Sequence, residues 1–213
     1  DHPLSRAAAN WLGRDAWRAA RLPVGSGEYA LVAEPRRYGF HATLKPPFRL
    51  AEGTSLAGLR DAMAGFCRVQ EGATIAALRL ARIGAFFALV PGDEKPGLDA
   101  LAAAVVRHFE PFRAPATEAE IARRRPERLS PRQRSYLADW GYPSVFDAFQ
   151  FHMTLTGPVA EEARGGVEDV LRARFAPFLG RPLAVDTLCL FVEPAPPGDF
   201  VIDTALPLAG PAT

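Results

Sequence analysis

Lysine is nearly missing from this chain: Lys45 and Lys95 are the only two among 25 basic residues. The bias goes with an abundance of Ala, Arg, Pro and Gly and reflects genome composition, but it makes each lysine conspicuous. Cysteine is also scarce. Cys67 and Cys189 lie far apart in sequence, match no metal-ligand spacing, and read as buried reduced thiols of a cytosolic protein. No apolar run reaches membrane-spanning length and no signal-peptide pattern opens the chain, so a cytoplasmic location without a membrane partner is expected. Asp1 stands where an initiator Met would, so the true N-terminus can lie upstream or have been processed. Neither charge sign prevails. A net charge of +1 gives no field that would gather a long polyanion, which argues against extended nucleic acid as a partner.

What is present is ordinary for a globular protein. With 213 residues, 48% hydrophobic and 23% charged, the chain suits a single domain or two closely packed lobes with a real core. Residues 3–20 read as a helix with Leu4, Ala8, Trp11 and Leu12 on one stripe, and 25–27 as a glycine-rich loop. Residues 39–45 alternate as a strand that ends at Pro46 and Pro47. Leu56, Leu59, Met63 and Phe66 mark a helix over 54–70 capped by Thr54. Runs at 74–83 and 85–91 form a hairpin broken at Gly84, and Leu98 to Phe112 a further helix. The segment 117–148 is rich in Arg and proline-broken, a set of short helices. Residues 149–156 return to strand, a helix follows through Phe175, and strands at 183–193 and 199–207 finish the chain.

Strand–helix–strand–strand therefore occurs twice, and the repeat holds at residue level. FHATLKPP from Phe40 and FHMTLTGP from Phe151 coincide at five of eight positions without a gap. The fold class expected is α+β: a bilobal pseudo-two-fold repeat, each lobe a mostly antiparallel sheet backed by helices, around a central cleft. The halves divide at about residues 1–115 and 116–213 of one domain. Alternate residues of a strand share a face, about 6.6 Å apart. His41, Thr43 and Lys45 then point one way and Phe40, Ala42 and Leu44 the other. In the second copy His152, Thr154 and Thr156 oppose Phe151, Met153 and Leu155.

Two imidazoles and two hydroxyls around one groove suit phosphodiester chemistry. A neutral imidazole accepts a proton from the attacking oxygen and an imidazolium gives one to the leaving oxygen, each step worth roughly 10²–10⁴ in rate. Thr43 and Thr154 can donate to non-bridging phosphate oxygens. Lys45 can add positive charge, with Thr156 and Tyr38 as further substrate contacts. The scheme asks for no cofactor and no metal. A metallohydrolase fits poorly, since the paired histidines lack a third ligand at metal spacing. His2 and His108 read as structural or surface residues. The arginines at 123, 124, 125, 128, 132 and 134 read as a solvated helical face, or as a basic rim that attracts phosphate. Trp140, Tyr142 and Phe146 read as core, with stacking on a base as the alternative.

The paired FHATL and FHMTL segments resemble the 2H phosphoesterase superfamily, which is defined by two His-x-Thr/Ser motifs. RRYGFHATLKPPFRL, RRRPERLSPRQ, LADWGYP and FQFHMTLTGPV resemble, more narrowly, a branch of bacterial proteins encoded beside phosphonate-utilisation genes. The resemblance implies a bilobal (LigT-like) fold that hydrolyses a small cyclic phosphodiester such as a ribose cyclic phosphate. His41, Thr43, His152 and Thr154 take the catalytic positions, with His152 as base and His41 as acid. It also implies a short apolar strand ahead of the first helix, which this sequence lacks. The expected protein is a monomeric, metal-independent cyclic phosphodiesterase with a small phosphate-containing substrate. RNA-end processing and a non-catalytic phosphate-ligand sensor are the alternatives.

Overall fold

A computed structural model describes residues 2–92 and 95–210. Helix α1 (Pro3–Leu12) buries Leu4, Ala8, Trp11 and Leu12, and His2 caps it through Nδ1, which accepts the Leu4 N–H at 3.2 Å. The helix stops well short of residue 20. Gly13 takes the left-handed conformation (φ 66°) and the Asp15 carboxylate then accepts the amides of Trp17 and Arg18 in a tight turn. That turn links β1 (Arg14–Asp15) to β2 (Ala20–Arg21). Helix α2 (Tyr29–Arg36) was not expected, because Pro35 and the preceding glycines masked it; the proline sits in its last turn, where it closes the helix instead of breaking it.

Helix α3 (Leu56–Cys67) is capped by Ser55, whose Oγ accepts the Gly58 N–H, and not by Thr54, which donates to the Ala51 carbonyl instead. Strand β3 (Ala73–Ile75) precedes the expected hairpin of β4 (Leu78–Ile83) and β5 (Phe86–Pro91) around Gly84. Helix α4 (Pro96–His108) follows, and then α5 (Glu118–Arg123) and α6 (Pro131–Trp140), both with reciprocal capping boxes. Strand β6 (Met153–Thr154), helix α7 (Arg164–Phe175), and strands β7 (Leu183–Val185), β8 (Thr187–Val192) and β9 (Val201–Pro207) complete the order.

The architecture is α+β with antiparallel strand pairs: β4–β5–β6, β8–β9, β3–β7 and β1–β2. Two of these join distant parts of the chain, since β5 takes β6 and β3 takes β7. Helix α3 likewise meets β9, where Arg60 forks onto Asp203. One apolar cluster gathers α1, the hairpin, Phe151, Met153 and Leu155; another joins α3 and α4 under Leu208. No described helix is long and apolar enough to cross a membrane.

Candidate functional site

Neither His-x-Thr segment forms a full strand. The first has a single bridge, Ala42 to Met153, antiparallel. The second is the two-residue β6, held on its other side by β5 through Ala88–Thr154 and Leu89–Met153. Gly39 (φ 72°) before the first segment and the Pro46–Pro47 pair after it leave too few regular residues for a longer ladder. The bridge nevertheless places the two segments directly side by side. His41 and Thr43 flank Ala42 as His152 and Thr154 flank Met153, and an antiparallel register continued from the bridge would put His41 opposite Thr154 and Thr43 opposite His152. The other face explains why the segments lie there. Phe40, Ala42 and Leu44 pack against the core that Phe151, Met153 and Leu155 help to form, and the Trp11 indole donates to the Leu155 carbonyl at 2.7 Å.

Each histidine hangs from the carbonyl two residues before it. His41 Nδ1 lies 3.0 Å from Gly39 O and His152 Nδ1 lies 2.8 Å from Gln150 O. A carbonyl only accepts, so both rings carry their proton on Nδ1 when neutral and lead with a basic Nε2. His41 Nε2 is 3.0 Å from Thr43 Oγ1, so the hydroxyl donates to it. The His41 ring is stacked on Tyr38 (5.6 Å, 27°) and flanked by Phe191 (5.5 Å), while Tyr38 stacks on Phe200 (4.8 Å). Phe86 stands 5.9 Å from the His152 ring. Burial pushes the His41 pKa below the ordinary histidine range; the Gly39 bond opposes this and the positive charge of His152 adds to it. This favours the neutral form of His41, the form that accepts a proton, whereas the resemblance had cast His41 as the acid and His152 as the base.

Of the other expected contacts, Lys45 and Thr156 are bonded within the protein, while Tyr38 stacks on His41. Lys45 has a side chain only 6% exposed, and its ammonium donates to Glu110 (2.7 Å) and to the Val106 carbonyl (3.2 Å). Burial lowers the Lys45 pKa against the pull of Glu110; burial would raise Glu110, but Arg113 and Lys45 hold that carboxyl below its usual range. Thr156 is 1% exposed and its Oγ1 accepts the Phe87 N–H at 3.0 Å, which ties the second segment to β5. Tyr38 is beside His41. A cleft of about 1380 Å³ is lined by Tyr38, His41, Thr43, Lys45, Phe191 and Arg14 among others, whereas His152 and Thr154 lie outside that lining. The ring partners Phe86, Phe191 and Phe200 left no sequence signal beyond their aromatic character. No group of three His, Cys, Asp or Glu side chains able to hold a metal lies among the described residues.

Two curated proteins named "Ribose 1,5-bisphosphate phosphokinase PhnN" are similar to this chain. The protein from Janthinobacterium sp. (strain Marseille) is 34% identical over 223 residues, covering 99% of this chain and 49% of its own length. The protein from Laribacter hongkongensis (strain HLHK9) is 36% identical over 192 residues, covering 86% and 43%. The chain thus spans about half the length of these relatives. Their name denotes a phosphoryl transferase, which overturns the expectation of a hydrolase, phosphoesterase or cyclic phosphodiesterase. The physical reason is that a histidine pair moves protons at phosphorus whichever oxygen attacks; nothing in His-x-Thr specifies water as the acceptor. A further match spans residues 43–201, which hold Thr43, His152 and Thr154 and begin just after His41, and by it the chain belongs to the family described as "Protein of unknown function (DUF1045)".

Proposed function

We propose that this chain binds a small phosphorylated ribose at the His41–His152 face and serves the acceptor side of a phosphoryl transfer, in the phosphonate context that the sequence suggested. The observation that supports this is the Ala42–Met153 bridge, which lays the two His-x-Thr segments side by side. The relatives' name supplies the ligand class. The two segments are then copies of one motif related by an approximate twofold, as in the 2H superfamily that they resemble. Phosphoryl transfer asks a protein mainly for positioning and for charge stabilisation. Neutral His41 takes the proton from the attacking acceptor oxygen as the new O–P bond forms, and the bond to the donor's leaving oxygen breaks with its electron pair. Thr43, which donates to His41 Nε2 in the free site, gives way there to the acceptor hydroxyl and turns to the phosphoryl oxygens, to which Thr154 and the imidazolium form of His152, through Nε2–H, also donate.

A nucleotide donor needs its own phosphate grip. A Gly-x4-Gly-Lys loop supplies backbone N–H groups and a lysine, and neither Lys45 nor Lys95 follows a glycine. The donor side therefore falls to the part of the relatives outside the matched span. Calorimetric titration with ribose 5-phosphate tests the reading. His41→Asn and His152→Asn should each weaken binding about tenfold or more, the scale of one lost charge-assisted bond, and unphosphorylated ribose should not bind. Unchanged affinity in both variants removes the reading. In a full-length relative, the same substitutions should lower phosphoryl transfer by about 10²–10⁴.

A further inference from the structure

Four guanidinium groups converge where α2 meets the loop that leads into β9. A pocket of about 480 Å³ is lined there by Arg21, Tyr29, Arg36, Arg37, Gly198 and Asp199. Behind it Arg14 is 2% exposed, with Nη2 donating to the Phe200 carbonyl at 2.6 Å and Nε buried without a partner. Only two carboxylates answer these four charges in the observed bonds. Asp199 takes a fork from Arg21 (3.0 and 2.9 Å) and lies 3.8 Å from Arg14, and Glu193 takes Arg37. Arg36 donates to two carbonyls, Gly13 O and Leu22 O, both at 3.1 Å. Carbonyl bonds satisfy donors without cancelling charge, so the pocket keeps surplus positive charge. A common edge is used throughout: Arg21, Arg36 and Arg37 each bond through Nε and Nη2. The Nη1 ends carry no bond among the described residues.

The pocket abuts the histidine site. Arg37 lies 5.4 Å over the Tyr38 ring, and Tyr38 is the ring stacked on His41. We propose that this arginine pocket is a second anion site, which takes one phosphate of a bisphosphorylated ligand whose other phosphate sits at the histidine face. The proposal rests on the phosphorylated-ribose reading above and narrows it to ligands with two separated phosphates. Guanidinium forks match phosphate oxygens in pairs, and a partly buried setting strengthens each such bond.

Ribose 5-phosphate and ribose 1,5-bisphosphate, titrated calorimetrically at fixed ionic strength, read the site. The bisphosphate should bind the wild-type chain about tenfold more tightly than the monophosphate, the scale of one added charge-assisted contact. Arg21→Gln, at a side chain 60% exposed, should erase most of that ratio. Asp199→Asn removes a competing carboxylate and should raise it. Opposite shifts in two variants cannot come from misfolding alone. Equal affinities in the wild type, or a ratio that neither substitution moves, overturns the proposal. His41→Asn separates the two readings. Weaker binding of both ligands at an unchanged ratio supports both sites, whereas intact monophosphate binding beside shifted ratios in the arginine-pocket variants removes the histidine site alone.

Discussion

A histidine shut between Tyr38 and Phe191 resists protonation, and the consequence for pH has a definite sign. The unfolded chain takes a proton at His41 near pH 6.5; the folded chain takes it only at lower pH. Stability from this residue is therefore undiminished above the unfolded pKa. It falls as pH drops from there toward the folded value, because the unfolded state binds the proton first. Two measurements check this. The His41 ring should titrate in NMR with a midpoint below 6.5, and denaturant melts should lose less stability between neutral and mildly acidic pH in His41→Asn than in the wild type. Thr156 makes a second residue-scale case. Thr156→Val strips a buried acceptor from the Phe87 N–H, which should cost about 1–3 kcal/mol in chemical denaturation, while Thr156→Ser should stay close to wild type. The i, i+2 rule put Thr156 and Lys45 beside the site residues, but it cannot see that Phe87 and Glu110 claim them first. Those partners come from elements remote in sequence.

At the scale of elements, turns rather than strands aim the motifs. Gly39 holds φ 72°, and a Cβ built there would meet the Ala16 Cβ at 2.9 Å. Gly39→Ala should therefore cost about 1–2 kcal/mol for the left-handed backbone alone, plus the clash, and should loosen the carbonyl that orients His41. Gly53→Ala is the control: its φ is 78° with nothing within 4 Å of the new atom, so its melting loss should be smaller and its ribose 5-phosphate affinity unchanged. Helices with apolar stripes, such as α3 and α7, were legible in the sequence to within a few residues, although Ser55 caps α3 in place of Thr54 and α7 has no side-chain cap. Helix α1 ended early because Gly13 and Asp15 have local chemistry stronger than the apolar stripe that ran past them. The first His-x-Thr segment read as a strand because its apolar residues alternate, yet residues 40–46 are all half-buried and the segment has a single bridge in place of a ladder.

Across the whole molecule, pairs between distant segments bring the two histidine segments together. The hairpin β4–β5 supports the second histidine segment, and β8 brings Phe191 to the first histidine. The duplicated motif revealed that two segments belonged together, and the structure sets them adjacent through Ala42 and Met153. The reaction was not legible, since acid–base groups describe proton movement and leave the acceptor open. The arginine pocket was not legible either, because Arg21, Arg36 and Arg37 line it, and Arg14 approaches its Asp199, only through folding. The central claim is that His41 and His152 face one ligand, and side-chain ¹⁵N NMR during titration with ribose 5-phosphate tests it most directly. Both Nε2 resonances should move together along one saturation curve and give one dissociation constant; movement of only one ring, or two unrelated curves, would contradict it.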